Sequence, residues 1–64
     1  MTYEQWMRKV NSLVIIRTGM SVDDLADWPS RDCYEAGETP EEALETLAEY
    51  QDFPDEVYEM LLGE

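Results

Sequence analysis

Sixteen of the 64 residues carry a carboxylate and none is a histidine, so any chemistry this chain performs must begin with acids. Three placements could matter. Asp23, Asp24 and Asp27 lie close together, but they lack the alternating acidic loop, the central glycine and the distal Glu that a calcium loop needs. They read as charge at a helix N-terminus. Cys33 could be a nucleophile, yet Asp32 and Glu35 lie beside it and acidic neighbours raise a thiol pKa. Without histidine there is also no Ser/His or Cys/His arrangement to activate it. Cys33 therefore reads as structural. The third placement is the most pointed. Glu41, Glu45 and Glu49 recur every four residues, about 6 Å along a helix axis. Glu38, Glu42, Asp52, Asp55, Glu56 and Glu59 extend the run.

Nucleic acid also presents closely spaced negative charge. A rigid protein with such an array can occupy a groove that Lys and Arg line for DNA or RNA. The plainer alternative is a solvated face kept for solubility. Tyr50, Phe53 and Tyr58 lie in the same third of the chain, with Trp28 at a corner before it. Such rings anchor interfaces, or they fill a small core. The candidate partner-binding set is thus Glu38, Glu41, Glu42, Glu45, Glu49, Asp52, Asp55, Glu56 and Glu59, with Tyr50, Phe53 and Tyr58. The expectation is no catalytic, cofactor-binding or metal-binding residue, and no enzyme.

Charge distribution sharpens this reading. The net charge is −12. In residues 1–31, Glu4, Asp23, Asp24 and Asp27 balance Arg8, Lys9, Arg17 and Arg31. Residues 32–64 hold twelve acids and no base, so the whole excess belongs to the second half. A field of that sign repels nucleic acid and anionic membrane and attracts basic protein surfaces. Arg8, Lys9 and Arg17 could instead oppose the acidic half within the monomer. One cysteine excludes an internal disulfide and suits a reducing, cytosolic setting. The longest aliphatic run, Leu13–Ile16, is far too short for a membrane span. Glu4 ahead of Arg8 and Lys9 does not suit a signal peptide.

The elements that must position these side chains are helices. Thr39 as N-cap, Pro40 at the first helical position and Glu42 at N3 predict a capping box and the main helix within Glu38–Gln51. Leu44, Leu47, Ala48 and Gln51 trace its inner stripe, widened by Ala43. Glu41–Glu45 and Glu45–Glu49 are like-charged i, i+4 pairs, each costing a few tenths of a kcal/mol. Helix stability alone does not explain that face. Thr2 and Gln5 predict a second capping box, opening a helix from Tyr3 to about Thr18 that Gly19 ends. Its inner face is Trp6, Val10, Leu13, Val14 and Arg17, with Met7 and Ile16 extending it and Ile15 off it.

Ser21 opens a short helix over Val22–Ala26, with Val22 and Leu25 turned inward. Trp28-Pro29 is a corner. Ser30 caps a third helix, Arg31–Ala36, with Cys33 and Tyr34 inward and Gly37 as its stop. Pro54 takes the first position of a last helix, Pro54–Leu62, whose apolar face is Val57, Tyr58, Leu61 and Phe53. Short turns joining about five short helices imply an all-α, compact small bundle. One domain, residues 1–64, accommodates all of it.

Gly19 through Ala43 reads G-M-S-V-D-D-L-A-D-W-P-S-R-D-C-Y-E-A-G-E-T-P-E-E-A. Gly19, Ser21, Val22, Leu25, Arg31, Asp32, Tyr34, Glu35, Gly37, Thr39, Pro40 and Ala43 carry the pattern. Tyr3-Glu4-x-Trp6-Met7 joins them. In these residues the chain resembles a family of small, uncharacterised phage and bacterial proteins, over about two thirds of its length. The motifs are caps and turns, so the resemblance implies a fold rather than a chemistry. It also implies a phage or mobile-element source, where small acidic proteins disarm host enzymes. After Leu47 the chain departs from the pattern. Residues 49–64 are acidic and add a helix where similar proteins end in an Ala-rich one.

Charge and resemblance together give the functional expectation. It is a small acidic phage-type inhibitor, anti-CRISPR-like or otherwise counter-defence, acting in the cytoplasm of a bacterial host. It would fill a basic groove on a host nucleic-acid-binding enzyme or immune effector, touching neither nucleic acid nor membrane itself. The alternative is a structural, self-associating helical module with no enzyme target. Such a module would form a homodimer through the Trp6–Val14 face or the C-terminal apolar face.

Overall fold

Two capping boxes start the two longest helices. Thr2 Oγ1 accepts from the Gln5 N–H at 3.2 Å while Gln5 Oε1 accepts from the Thr2 N–H at 3.0 Å. Thr39 and Glu42 repeat the exchange at 3.2 and 2.9 Å. Each box satisfies donors that a helix start leaves open. The computed structural model describes residues 1–63. In it α1 spans Tyr3–Thr18, α2 Ser30–Glu35, α3 Pro40–Glu49 and α4 Asp55–Leu62. A 3₁₀ turn, Val22–Asp24, joins α1 to α2. The all-α class holds. The expected five helices are four and a 3₁₀ turn.

The corrections have local causes. Val22–Ala26 does not complete a helix because Gln51 claims Ala26. Its Oε1 accepts from the Ala26 N–H and its Nε2 donates to the Ala26 carbonyl, both at 2.8 Å. A residue whose backbone is paired this way has nothing left for an i→i−4 ladder. Ser30 does not cap α2 but lies within it, and its hydroxyl pairs with Tyr3 Oη at 2.6 Å. Pro54 sits one position earlier than expected, at the N-cap of α4, where its carbonyl accepts from the Val57 and Tyr58 N–H groups.

The core is the meeting of α1 with α3. Trp6, Val10 and Val14 pack with Ala43, Leu44, Leu47 and Ala48, and Cys33 of α2 and Leu61 of α4 close the cluster. Fully burying each Val or Leu here is worth about 1.5–3 kcal/mol. Ile16 was expected to extend the inner face of α1, yet it is 79% exposed. The buried arc of α1 is narrow because α3 and α4 meet only one side of it, and Ile16 falls on the other. The radius of gyration, 10.8 Å, is close to the roughly 10.6 Å of a compact chain this long.

Arg17 fastens α4 to α1. Its guanidinium donates to the Leu61 carbonyl at 2.8 Å, at the C-terminal end of α4 where carbonyls lack helical partners. Arg17→Met keeps the aliphatic stem and removes the donor. It should lower stability by about 1–2 kcal/mol in a urea titration, with α4 amides exchanging fastest. An unchanged midpoint would mean that water serves Leu61 equally well.

Candidate partner-binding surface

The outer side of α3 follows from its inner one. At about 100° per residue, Pro40, Ala43, Leu44, Leu47 and Ala48 occupy the side facing α1, and all five are buried. Glu41, Glu42, Glu45 and Glu49 are exposed and fall within a complementary arc of about 100°. Asp55, Glu56 and Glu59 of α4 are likewise exposed and share an arc of about 100°. Half-exposed Met60 lies beside them. Asp52 is exposed in the turn between these packed helices. Each helix thus groups its acids on one side.

Glu38 stands apart. It is half-buried, its carbonyl accepts from Trp6 Nε1 at 2.9 Å, and its N–H donates to the Cys33 carbonyl. Glu42 is partly committed through the capping box. Glu41 borders an open depression that it shares with Arg8, Lys9, Ser12 and Leu13. Of the bases of α1, Arg17 reaches the acidic half by its bond to the end of α4, while Arg8 and Lys9 line the same depression as Glu41. Arg31 is turned elsewhere, its guanidinium 4.1 Å from the centre of the Tyr3 ring.

The aromatics divide by role. Tyr50, at the end of α3 next to Glu49, is 56% exposed, the one exposed ring among the described residues. Phe53 and Tyr58 meet edge to face at 5.5 Å, and Tyr58 Oη donates to the Gln51 carbonyl at 2.6 Å. They brace the turn between α3 and α4. Tyr58 still borders a surface notch with Asp55, Glu59 and Leu62. Trp28 joins another group, stacking on Trp6 at 6.3 Å, while Tyr3 and Tyr34 pack against the same indole.

No group of three or more acidic or cysteine side chains converges to hold a metal among the described residues. No helix among them is long and apolar enough to cross a membrane. The Trp6–Val14 face, a candidate for pairing between copies, is consumed inside the monomer. Comparison with known proteins finds no matching family model, no matching curated protein and no matching solved structure.

Cys33 is 4% exposed. Burial pushes its thiol above the ordinary value of 9.0, the Thr46 hydroxyl opposes this, and Glu38 and Asp32 add to it. The folded state holds the proton more firmly than the unfolded chain does. The resulting stability is present below the unfolded pKa and lost as pH rises through the folded one. Alkylation of the folded protein should be negligible at pH 7 and should climb only above about pH 9, as followed by mass spectrometry. Rapid labelling at pH 7 would contradict the buried, protonated thiol.

Proposed function

We propose that this chain is a small acidic inhibitor of phage type, without catalytic activity, that occupies a basic groove on a host nucleic-acid-binding protein. An immune effector is the leading target class and the bacterial cytoplasm the setting. The observation that carries the reading is the outer arc of α3. Glu41, Glu42, Glu45 and Glu49 follow one another over nine residues, about one charge per 4 Å of helix axis. A single nucleic-acid strand offers about one per 3.4 Å. Neither α3 nor α4 contains a Lys or Arg to neutralise its acids. Asp52, Asp55, Glu56 and Glu59 continue the charge onto the neighbouring helix.

Tyr50 supplies what charge alone lacks. Charge complementarity speeds encounter and is screened by salt, whereas a ring seated in a pocket slows release. Tyr58 belongs to the set through the rim it offers beside Asp55 and Glu59, and Phe53 joins it by bracing that ring edge to face. The resemblance of the caps and turns to small phage proteins supports the source and the counter-defence role.

Immobilised protein should capture a basic host protein from lysate at low salt and release it at about 0.5 M salt. DNA or RNA should compete for the captured protein. The double substitution Glu45→Gln/Glu49→Gln should slow association roughly tenfold while leaving dissociation nearly unchanged. A partner held equally well at high salt, or indifferent to nucleic acid, would refute the proposal. Tyr50→Ala should change stability by less than about 0.5 kcal/mol yet speed dissociation from that partner severalfold. Unaltered dissociation would remove Tyr50 from the interface.

A further inference from the structure

For the charge it bears, α4 is the least anchored of the four helices. Of its eight residues Leu61 alone is fully buried, whereas α3 buries five of its ten. Tyr58 and Leu62 pack partly buried beside it. Two side-chain bonds add to this hold. Arg17 of α1 donates to the Leu61 carbonyl near the C-terminal end of α4. Tyr58 Oη donates to the Gln51 carbonyl, across the turn that leads into α4. Gln51 is itself a firm point, because its amide pairs both ways with Ala26. Between that point and the start of α4 lie Asp52, Phe53 and Pro54. A swing of α4 about these residues breaks the Arg17 and Tyr58 bonds and lifts Leu61 out, yet leaves the contact of α1 with α3 whole.

Charge acts on that swing in one direction. α4 carries exposed Asp55, Glu56 and Glu59, and α3 carries exposed Glu41, Glu42, Glu45 and Glu49, with no base on either helix. The two helices pack on one another, so docking brings like charges together. The screening length is about 30 Å at 0.01 M salt and about 3 Å at 1 M. At low salt the repulsion thus reaches across a molecule whose longest extent is 31 Å. At high salt it is confined to immediate neighbours.

We infer that α4 is a strap that opens as one unit about Asp52–Pro54, latched by Leu61, Arg17 and Tyr58, sprung by the acids of α3 and α4, and closed by cations. Contiguous elements with few buried contacts open in this way below the free energy of global unfolding. Opening bares the side of the core that Leu61 covers and carries Asp55, Glu56 and Glu59 away from α3. Cations gather more closely around the docked helices than around the separated ones, and that difference shifts the population toward the closed form. The strap is a property of the chain alone and stands independently of the inhibitor reading.

Native-state hydrogen exchange of the protein alone, followed amide by amide by NMR in low urea, tests it. The amides of α4 should exchange through an opening that depends little on urea. Those of Val10, Val14 and Leu47 should exchange only through global unfolding, which depends on it steeply. Raising sodium chloride from about 0.02 to 0.5 M should reduce the α4 opening roughly tenfold. Glu45→Gln/Glu49→Gln should reduce it severalfold at low salt and flatten the response to salt. These acids belong to α3, which stays helical in the opened form, so the change reads repulsion between helices rather than helix propensity. Tyr58→Phe keeps the ring and should raise the opening severalfold, because its bond is made closed and lost open. A single global opening shared by all helices at every salt concentration would overturn the inference. So would an α4 opening indifferent to salt, to the α3 substitutions or to Tyr58→Phe. No basic partner is present, so failure here leaves the inhibitor reading to its own test.

Discussion

The fit of α3 against α1 governs the molecule. Ala43 and Ala48 are small enough to bring the two helices close, and Leu44 and Leu47 fill the space beside Val10 and Val14. Burying each leucine contributes about 1.5–3 kcal/mol, while each like-charged i, i+4 pair on the other side costs a few tenths. Burial wins by roughly an order of magnitude, so the glutamates are carried outward as a group. The helix that carries the acidic arc is therefore held in place by the core beneath it. A flexible tail of equal charge would have to be ordered on binding, at an entropic cost this helix has already met in folding.

Around that small core, side chains reach backbone groups that no helix satisfies. Asn11 Oδ1 accepts from the Val22 N–H at 2.9 Å and holds the 3₁₀ turn against α1. Trp6 serves the Glu38 carbonyl, Tyr58 the Gln51 carbonyl and Arg17 the Leu61 carbonyl. No buried side-chain nitrogen or oxygen among the described residues lacks a partner. Each such bond contributes only about 1 kcal/mol net, but a buried group left unmatched costs more. In a domain that buries only about 60% of its unfolded surface, these clamps do much of what a larger core would do through area.

How far the residues could be read follows from the range of the interactions. The bounds of α1 and α3 were legible because capping is local: Thr2 with Gln5 and Thr39 with Glu42 are three residues apart, and Gly19 takes the left-handed backbone that ends α1. The exposed glutamates of α3 followed from the same periodicity. The segment from Val22 to Ser30 was not legible, because its partners are distant. Ala26 answers to Gln51, Val22 to Asn11 and Ser30 to Tyr3. Ile16 was misjudged for a related reason. Periodicity locates a helix's apolar side, but the width of the buried arc depends on how many neighbours the fold supplies. Among the rings, Tyr50 could not be told from Phe53 and Tyr58 until the turn they brace was known.

Gln51 shows where this tolerance of negative charge stops. Its amide nitrogen and oxygen answer the carbonyl and N–H of one residue, Ala26, and it is 8% exposed. Glutamate has almost the same outline, but it would set an oxygen against the Ala26 carbonyl oxygen and strand an anion in the interior. Spontaneous hydrolysis of that amide would make the same exchange without any mutation. The molecule thus accepts acids across its outside while one nitrogen atom guards the seam between its halves.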